Sequence, residues 1–151
     1  MENEEVKQER KVYELGEFRS SKAEDYGTYT NISNSKELFN ISNNSGIMLN
    51  DIVGEKIRFK KLLLRKYKKL LDKPITNEDG TTTDYENKIS TSIISEDGKI
   101  YVTTSKTFAF LLIKYLYECN GINELENEGL AIEIIKNPTP NGNKTLGFEV
   151  L

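Results

Sequence analysis

Residues 55–73, EKIRFKKLLLRKYKKLLDK, set nine basic side chains (Lys56, Arg58, Lys60, Lys61, Arg65, Lys66, Lys68, Lys69, Lys73) against two acids, Glu55 and Asp72. The segment carries +7 in a chain of net charge −3, so the remainder sums to −10 (−3 minus +7). Cations at this density cannot be buried without partners, which confines the segment to an element with at least one wet face. A solvated face normally mixes both signs. An acidic chain that gathers its positive charge in one place is instead suited to hold a polyanion. Phe59 and Tyr67 lie within the run, and aromatics among basic residues suit unpaired nucleobases.

The apolar pattern of the run favours a strand. Ile57 and Phe59 share one face, Arg58 and Lys60 the other. Lys61 would then break the alternation, and a bulge near Lys60-Lys61 restores Leu62 and Leu64 to the core side, with Arg65, Tyr67 and Lys69 outward. A basic amphipathic helix over 60–71 is the alternative, because Leu63, Tyr67 and Leu70 also have helical spacing.

Residues 85–95 and 99–105 read as two strands around Asp97-Gly98, a type I′ hairpin signal. A two-residue turn pairs Glu96 with Lys99, Ile93 with Val102, Ile94 with Tyr101, and Ser92 with Thr103. Ile93, Ile100 and Val102 then face inward, while Ser92, Tyr101 and Thr103 face outward. The segment 106–119 reads as a helix capped by Ser105 or Thr104 and ended by Asn120-Gly121, with Phe108, Leu111, Leu112 and Tyr115 as its core stripe. Residues 130–136 and 145–150 read as the final two strands. Residues 1–45 are polar and sparse in apolar side chains, so they read as a mobile N-terminal arm, either disordered or docked on a neighbouring subunit or partner.

Three strands, one helix and two strands (β-β-β-α-β-β) is the element order of a five-stranded OB-fold barrel, here assigned to 46–151 in a mainly β chain with one helix. That fold binds oligonucleotides across its second and third strands and in adjoining loops. The candidate nucleic-acid contacts are therefore Arg58, Phe59, Lys60, Lys61, Arg65, Lys66, Tyr67, Lys68 and Lys69 of the basic strand. Lys88, Tyr101 and Thr103 of the hairpin join them, with Lys136 and Lys144 flanking the last loop. Cationic side chains would neutralise phosphates while Phe59, Tyr67 and Tyr101 stack on bases.

The segments FNISNNSGIMLNDIVGEKIRF, IISEDGKIYVTTSKTFAFLL and IEIIKNPTPNGNKTLGFEVL resemble the small single-stranded-DNA-binding OB-fold proteins of Gram-positive phages and conjugative plasmids. The resemblance spans 39–151. It implies non-catalytic coating of single strands during phage replication or plasmid transfer, by dimers or higher assemblies. By position it puts Arg58, Lys60, Tyr67, Tyr101 and Thr103 on the binding face. In contrast to cellular single-strand-binding proteins, no flexible acidic C-terminal tail for recruiting replication enzymes is expected, and Glu2, Glu4 and Glu5 instead place acid at the N-terminus.

The absence of histidine excludes Ser-His and Cys-His nucleophiles and histidine-ligated metals. The acidic loops at Gly80 and Gly98 place Ile75 and Ile93 where a calcium loop needs its first carboxylate. No cofactor, metal or catalytic activity is expected. Cys119 stands alone, and residues 1–10 have no signal-peptide pattern, so a cytoplasmic protein without a membrane segment is expected. The expected partner is single-stranded DNA, with RNA and duplex as weaker ligands. The alternative is a protein-interaction module, such as an inhibitor of a host protein, that sets the basic strand on an acidic surface. A cationic helix lying on a membrane is a third reading.

Overall fold

The computed structural model describes residues 11–151. Its elements in chain order are α1 (Leu15–Ser20), β1 (Gly27–Thr30), α2 (Ser35–Ser42), β2 (Ile47–Met48) and a 3-10 turn (Leu49–Ile52). After these come β3 (Lys56–Thr76), β4 (Thr82–Ser95), β5 (Ile100–Thr103), α3 (Lys106–Glu118), α4 (Gly121–Asn127), β6 (Leu130–Pro138) and β7 (Lys144–Val150). The chain is mixed α/β: the described residues form four α-helices and one open seven-stranded mixed sheet.

The basic run is a strand along its whole length, which removes the helical alternative for 60–71. Leu62 and Leu64 are buried in the main core while Leu63 is buried on the opposite face, against Ile32 and Ile41. That is the two-residue period of a strand covered on both sides. The bulge falls where expected. Phe59 pairs with Ser95 and Lys61 with Ile94, so Lys60 is the extra residue that lets Phe59 and Leu62 face the same core.

β3 is also the hub of the sheet. Its first residues pair with β6 (Lys56↔Glu133 to Phe59↔Leu130), and the rest pairs with β4. The sheet runs β2-β5-β4-β3-β6-β7, with β1 added beside β3. The expected closed five-stranded barrel is corrected. β5 is four residues long, and its outer edge is taken by Ile47 and Met48 in parallel pairing with Tyr101 and Val102. β7 therefore does not meet β5, and the sheet stays open.

The single expected helix is present as α3. Ser105 Oγ accepts the Phe108 N–H at 3.1 Å, and Asn120 adopts a left-handed φ of 57° at the exit. Phe108 and Leu112 are fully buried against the sheet, with Leu111 and Tyr115 at the margin. α1, α2 and α4 are additional to the expected one-helix architecture.

The reading of 1–45 as a polar arm is corrected for 11–45. Tyr13, Phe18 and Tyr29 belong to the main core, and Phe18 is completely buried. α2 covers the other face of the sheet with Ile41, and its first turn is capped by Asn34 Oδ1, which accepts the Glu37 N–H at 2.9 Å. Burying each such side chain contributes about 1.5–3 kcal/mol, so this segment is part of the fold's stability. The acidic Glu2, Glu4 and Glu5 lie outside the described residues.

The hairpin at Asp97-Gly98 is present with a different turn. Only Gly98 has positive φ (87°), whereas a type I′ turn needs it at two successive residues. Ser95 N–H donates to Lys99 O and Gly98 N–H to Ser95 O, which makes Glu96, Asp97 and Gly98 a three-residue loop. Asp97 fixes this loop by accepting from the Ser95 hydroxyl and from the Lys99 N–H, and these bonds hold its carboxyl below the ordinary aspartate range. One added loop residue moves the register by one: Ser92↔Val102, Ile93↔Tyr101 and Ile94↔Ile100.

Candidate nucleic-acid interface

β3 and β4 stay paired far beyond the body of the sheet, from Lys61↔Ile94 out to Thr76↔Thr82. β1 flanks β3 only at 63–66, and β5 flanks β4 only at 91–94. From the Tyr67↔Lys88 pair outward, the two strands form a ribbon with neither edge paired among the described residues. β3 bulges by three residues between Leu70 and Ile75, so the reach of the ribbon is set by β4, whose run from Lys88 to Thr82 extends roughly 20 Å from the root at about 3.3 Å per residue. Its tip is tied by Asp79, which accepts from the Thr81 hydroxyl at 2.6 Å; that bond lowers the Asp79 carboxyl below its usual range.

Register sorts the ribbon side chains into two faces. Lys68 and Leu70 share one with Tyr85 and Asn87, and Lys68 Nζ lies 4.2 Å from the centre of the Tyr85 ring. Arg65, Tyr67 and Lys69 share the other with Glu86, Lys88 and Ser90, and the Arg65 guanidinium lies 5.7 Å from the Tyr67 ring. Lys68, Lys69 and Lys73 are exposed and make no ion pair among the described residues. Leu70, 70% exposed, and Ile75 add apolar surface. Such a ribbon can hold an extended anionic chain along its length, with rings available to stack.

The other sequence-predicted contacts are dispersed. Phe59 is completely buried, because the bulge turns it into the core. Tyr101 and Thr103 are buried as well, because the three-residue turn reverses the faces of β5. None of the three is available to a base, and their assignment as contacts is corrected. Lys66 is also turned inward. Its Nζ donates to Phe18 O at 2.9 Å, to Ser21 O at 3.1 Å and to Ser21 Oγ, tying α1 to β3. Burial pushes this ammonium below the ordinary lysine range, while the Asp25 carboxylate acts weakly in the opposite direction.

Three further cations are engaged by carboxylates. Lys61 Nζ donates to both Glu37 oxygens at 2.9 and 2.8 Å. Arg58 lies 3.9 Å from Glu96 and donates to the carbonyls of Glu128 and Gly129, and Lys88 lies 3.6 Å from Glu86. Lys60 is exposed at the bulge. Lys136 donates to Asn50 Oδ1 at 3.1 Å, and Lys144 is exposed. Both lie at the far end of the sheet from the ribbon tip, since β6 leaves β3 at Lys56 and continues away from it.

No family model, curated protein or solved structure matches the chain. Of the predicted contacts, the ribbon gathers Tyr67, Lys68, Lys69 and Lys88, with Arg65 at its root, and adds Tyr85 and Lys73. Tyr85 carries a sequence signal only once the register is known, as the residue opposite Leu70 and beneath Lys68. The membrane-surface reading required 60–71 to be helical, and its strand conformation removes that reading. Among the described residues, no helix is long and apolar enough to cross a membrane, and no three His, Cys, Asp or Glu side chains gather to hold a metal ion.

Proposed function

We propose that the protein is a non-catalytic, largely sequence-neutral single-stranded-DNA-binding protein. Copies of the chain, as dimers or larger assemblies, would coat strands exposed during phage replication or plasmid transfer. The observation that carries this reading is the projecting β3–β4 ribbon, where Lys68 shares one face with Tyr85, Lys69 shares the other with Tyr67, and Lys73 follows further out. None of the three lysines has a carboxylate partner among the described residues. Lysines in that setting neutralise phosphates whatever the sequence, and the tyrosines favour bases that are unpaired. The pairing order β5-β4-β3-β6-β7, with α3 between the third and fourth of these strands in chain order, supports a relation to the OB-fold opened at its β5–β7 seam.

The exposed Leu70 and Ile75 favour a second reading, in which the ribbon docks on an acidic protein surface. Fluorescence anisotropy with a labelled single strand, a duplex and an RNA of the same sequence separates the two. Single-strand DNA should bind tightest at equal salt. Equal affinity for duplex would reduce the mechanism to charge alone, and no binding to any of the three would favour the protein-docking reading.

A further inference from the structure

A cleft of about 290 Å³ opens at the root of the ribbon, between the turn after α1, the β3–β4 pair and the first turns of α3. Its lining includes Ile89 and Phe110 together with three lysines, Lys66, Lys88 and Lys106. Phe110 is half exposed, although Phe108 on the same helix is fully buried, and it stands one helical turn after Lys106 on the same helix face. An exposed ring beside ammonium groups is a poor arrangement for a core edge. It suits a ligand with a flat apolar body and an anionic edge.

Lys66 strengthens the case independently of exposure. The residue is more than nine-tenths buried, and its hydrogen-bond acceptors are neutral oxygens of Phe18 and Ser21. Among the described residues it has no carboxylate within ion-pairing distance. A buried cation so placed projects positive potential into the cleft beside it. Glu86 offsets Lys88 at 3.6 Å and Asp25 acts on Lys66 from longer range, while the exposed Lys106 makes no ion pair among the described residues. The ribbon face that carries Lys68 and Tyr85 runs directly into this cleft, because Lys66 and Ile89 are the next residues inward on the same face.

We infer that this cleft is a nucleotide subsite: it takes one unstacked nucleotide of a strand lying on the ribbon, with the base on Phe110 and the phosphate at Lys106. The inference rests on the proposed single-strand binding and specifies where a base leaves the ribbon. The test uses the full chain and a labelled oligonucleotide of about twelve nucleotides, within the site sizes of comparable folds. An abasic strand of the same length runs in parallel. Phe110→Ala should weaken binding to the normal strand by about five- to hundred-fold, the range for loss of one stacked base. It should leave the weaker binding to the abasic strand unchanged, and Phe110→Tyr should keep wild-type affinity for both. Lys106→Ala should weaken both strands alike. Thermal melting confirms that each variant is folded. Wild-type binding with no effect of Phe110→Ala would overturn the subsite and leave the ribbon reading intact. Absence of wild-type binding to either strand would overturn the single-strand reading itself, and the subsite with it.

Discussion

Tyr101→Ala tests the hairpin register that decides which face of the sheet is available to a ligand. Tyr101 is 5% exposed, pairs with Ile93 and lies in the main core. Truncating a buried aromatic to alanine costs about 3–5 kcal/mol, because transfer energy is lost and a cavity remains. For a chain of this size each kcal/mol lowers the melting temperature by about 2–4 °C, so the expected loss is at least about 6 °C. Val102 is the control. It is half-buried on the opposite face, where a Cβ at Gly46 would meet its Cγ1 at 2.9 Å, and Val102→Ala should cost only about 1 kcal/mol. Melting followed by circular dichroism measures both. Single-strand affinity of Tyr101→Ala, taken well below its melting temperature, should equal that of wild type. If Tyr101→Ala melts normally but binds single strands poorly, the register is wrong and the binding face lies on the other side of β5.

Gly98→Ala should destabilise the fold by about 1 kcal/mol even though its Cβ would meet open space, since φ of 87° is strained for an L side chain; denaturant unfolding measures it. Lys66→Ala should lower stability by about 2 kcal/mol in the same assay, because it strips donors from the Phe18 and Ser21 oxygens. In alkali, Tyr115 supplies a signed prediction. Its hydroxyl donates to Glu124 at 2.5 Å, and that bond, with burial and the carboxylate charge, raises its pKa from 10.0 to about 12. A raised folded pKa gives stability that is complete below pH 10 and is lost as pH rises through about 12. Tyr115→Phe should therefore flatten the decline in melting temperature across that window, and an unchanged decline would contradict the assignment.

Much of the sheet's central frame was legible because its signals are local. The alternation of Ile57, Phe59, Leu62 and Leu64 locates the bulge at Lys60, and the Ser105 cap with the Phe108–Leu112 stripe locates α3. The errors have physical causes. Asp97-Gly98 reads as a two-residue turn until the Asp97 carboxylate is seen to bond back to Ser95 and Lys99, which makes a three-residue loop and reverses Tyr101 and Val102. Tyr13, Phe18, Tyr29, Ile32 and Ile41 are spaced too widely to signal a core. Each is buried against strands distant in sequence, so the docking of 11–45 on the sheet leaves no periodic trace. The same holds for Ile47 and Met48, whose pairing with β5 keeps the sheet open. Charge counting found the ribbon but could not separate its free lysines from Lys66, which is buried, or from Arg58, Lys61 and Lys88, which have carboxylate neighbours.

The central claim is that the ribbon lysines hold the phosphates of a single strand. The most direct test is the salt dependence of single-strand affinity for wild type and for the Lys68→Ala/Lys69→Ala/Lys73→Ala triple variant, measured by anisotropy from low to physiological salt. All three residues are exposed, so the variant should melt like wild type. If the strand wraps both faces of the ribbon and each lysine neutralises one phosphate, the log–log slope should become shallower by about 2, since each phosphate neutralised on a single strand adds about 0.7 to it. A strand confined to the Lys68 face gives a smaller change, and in either case affinity should fall most at low salt. An unchanged slope and affinity in a folded triple variant would show that the strand is held elsewhere, and the account would be wrong.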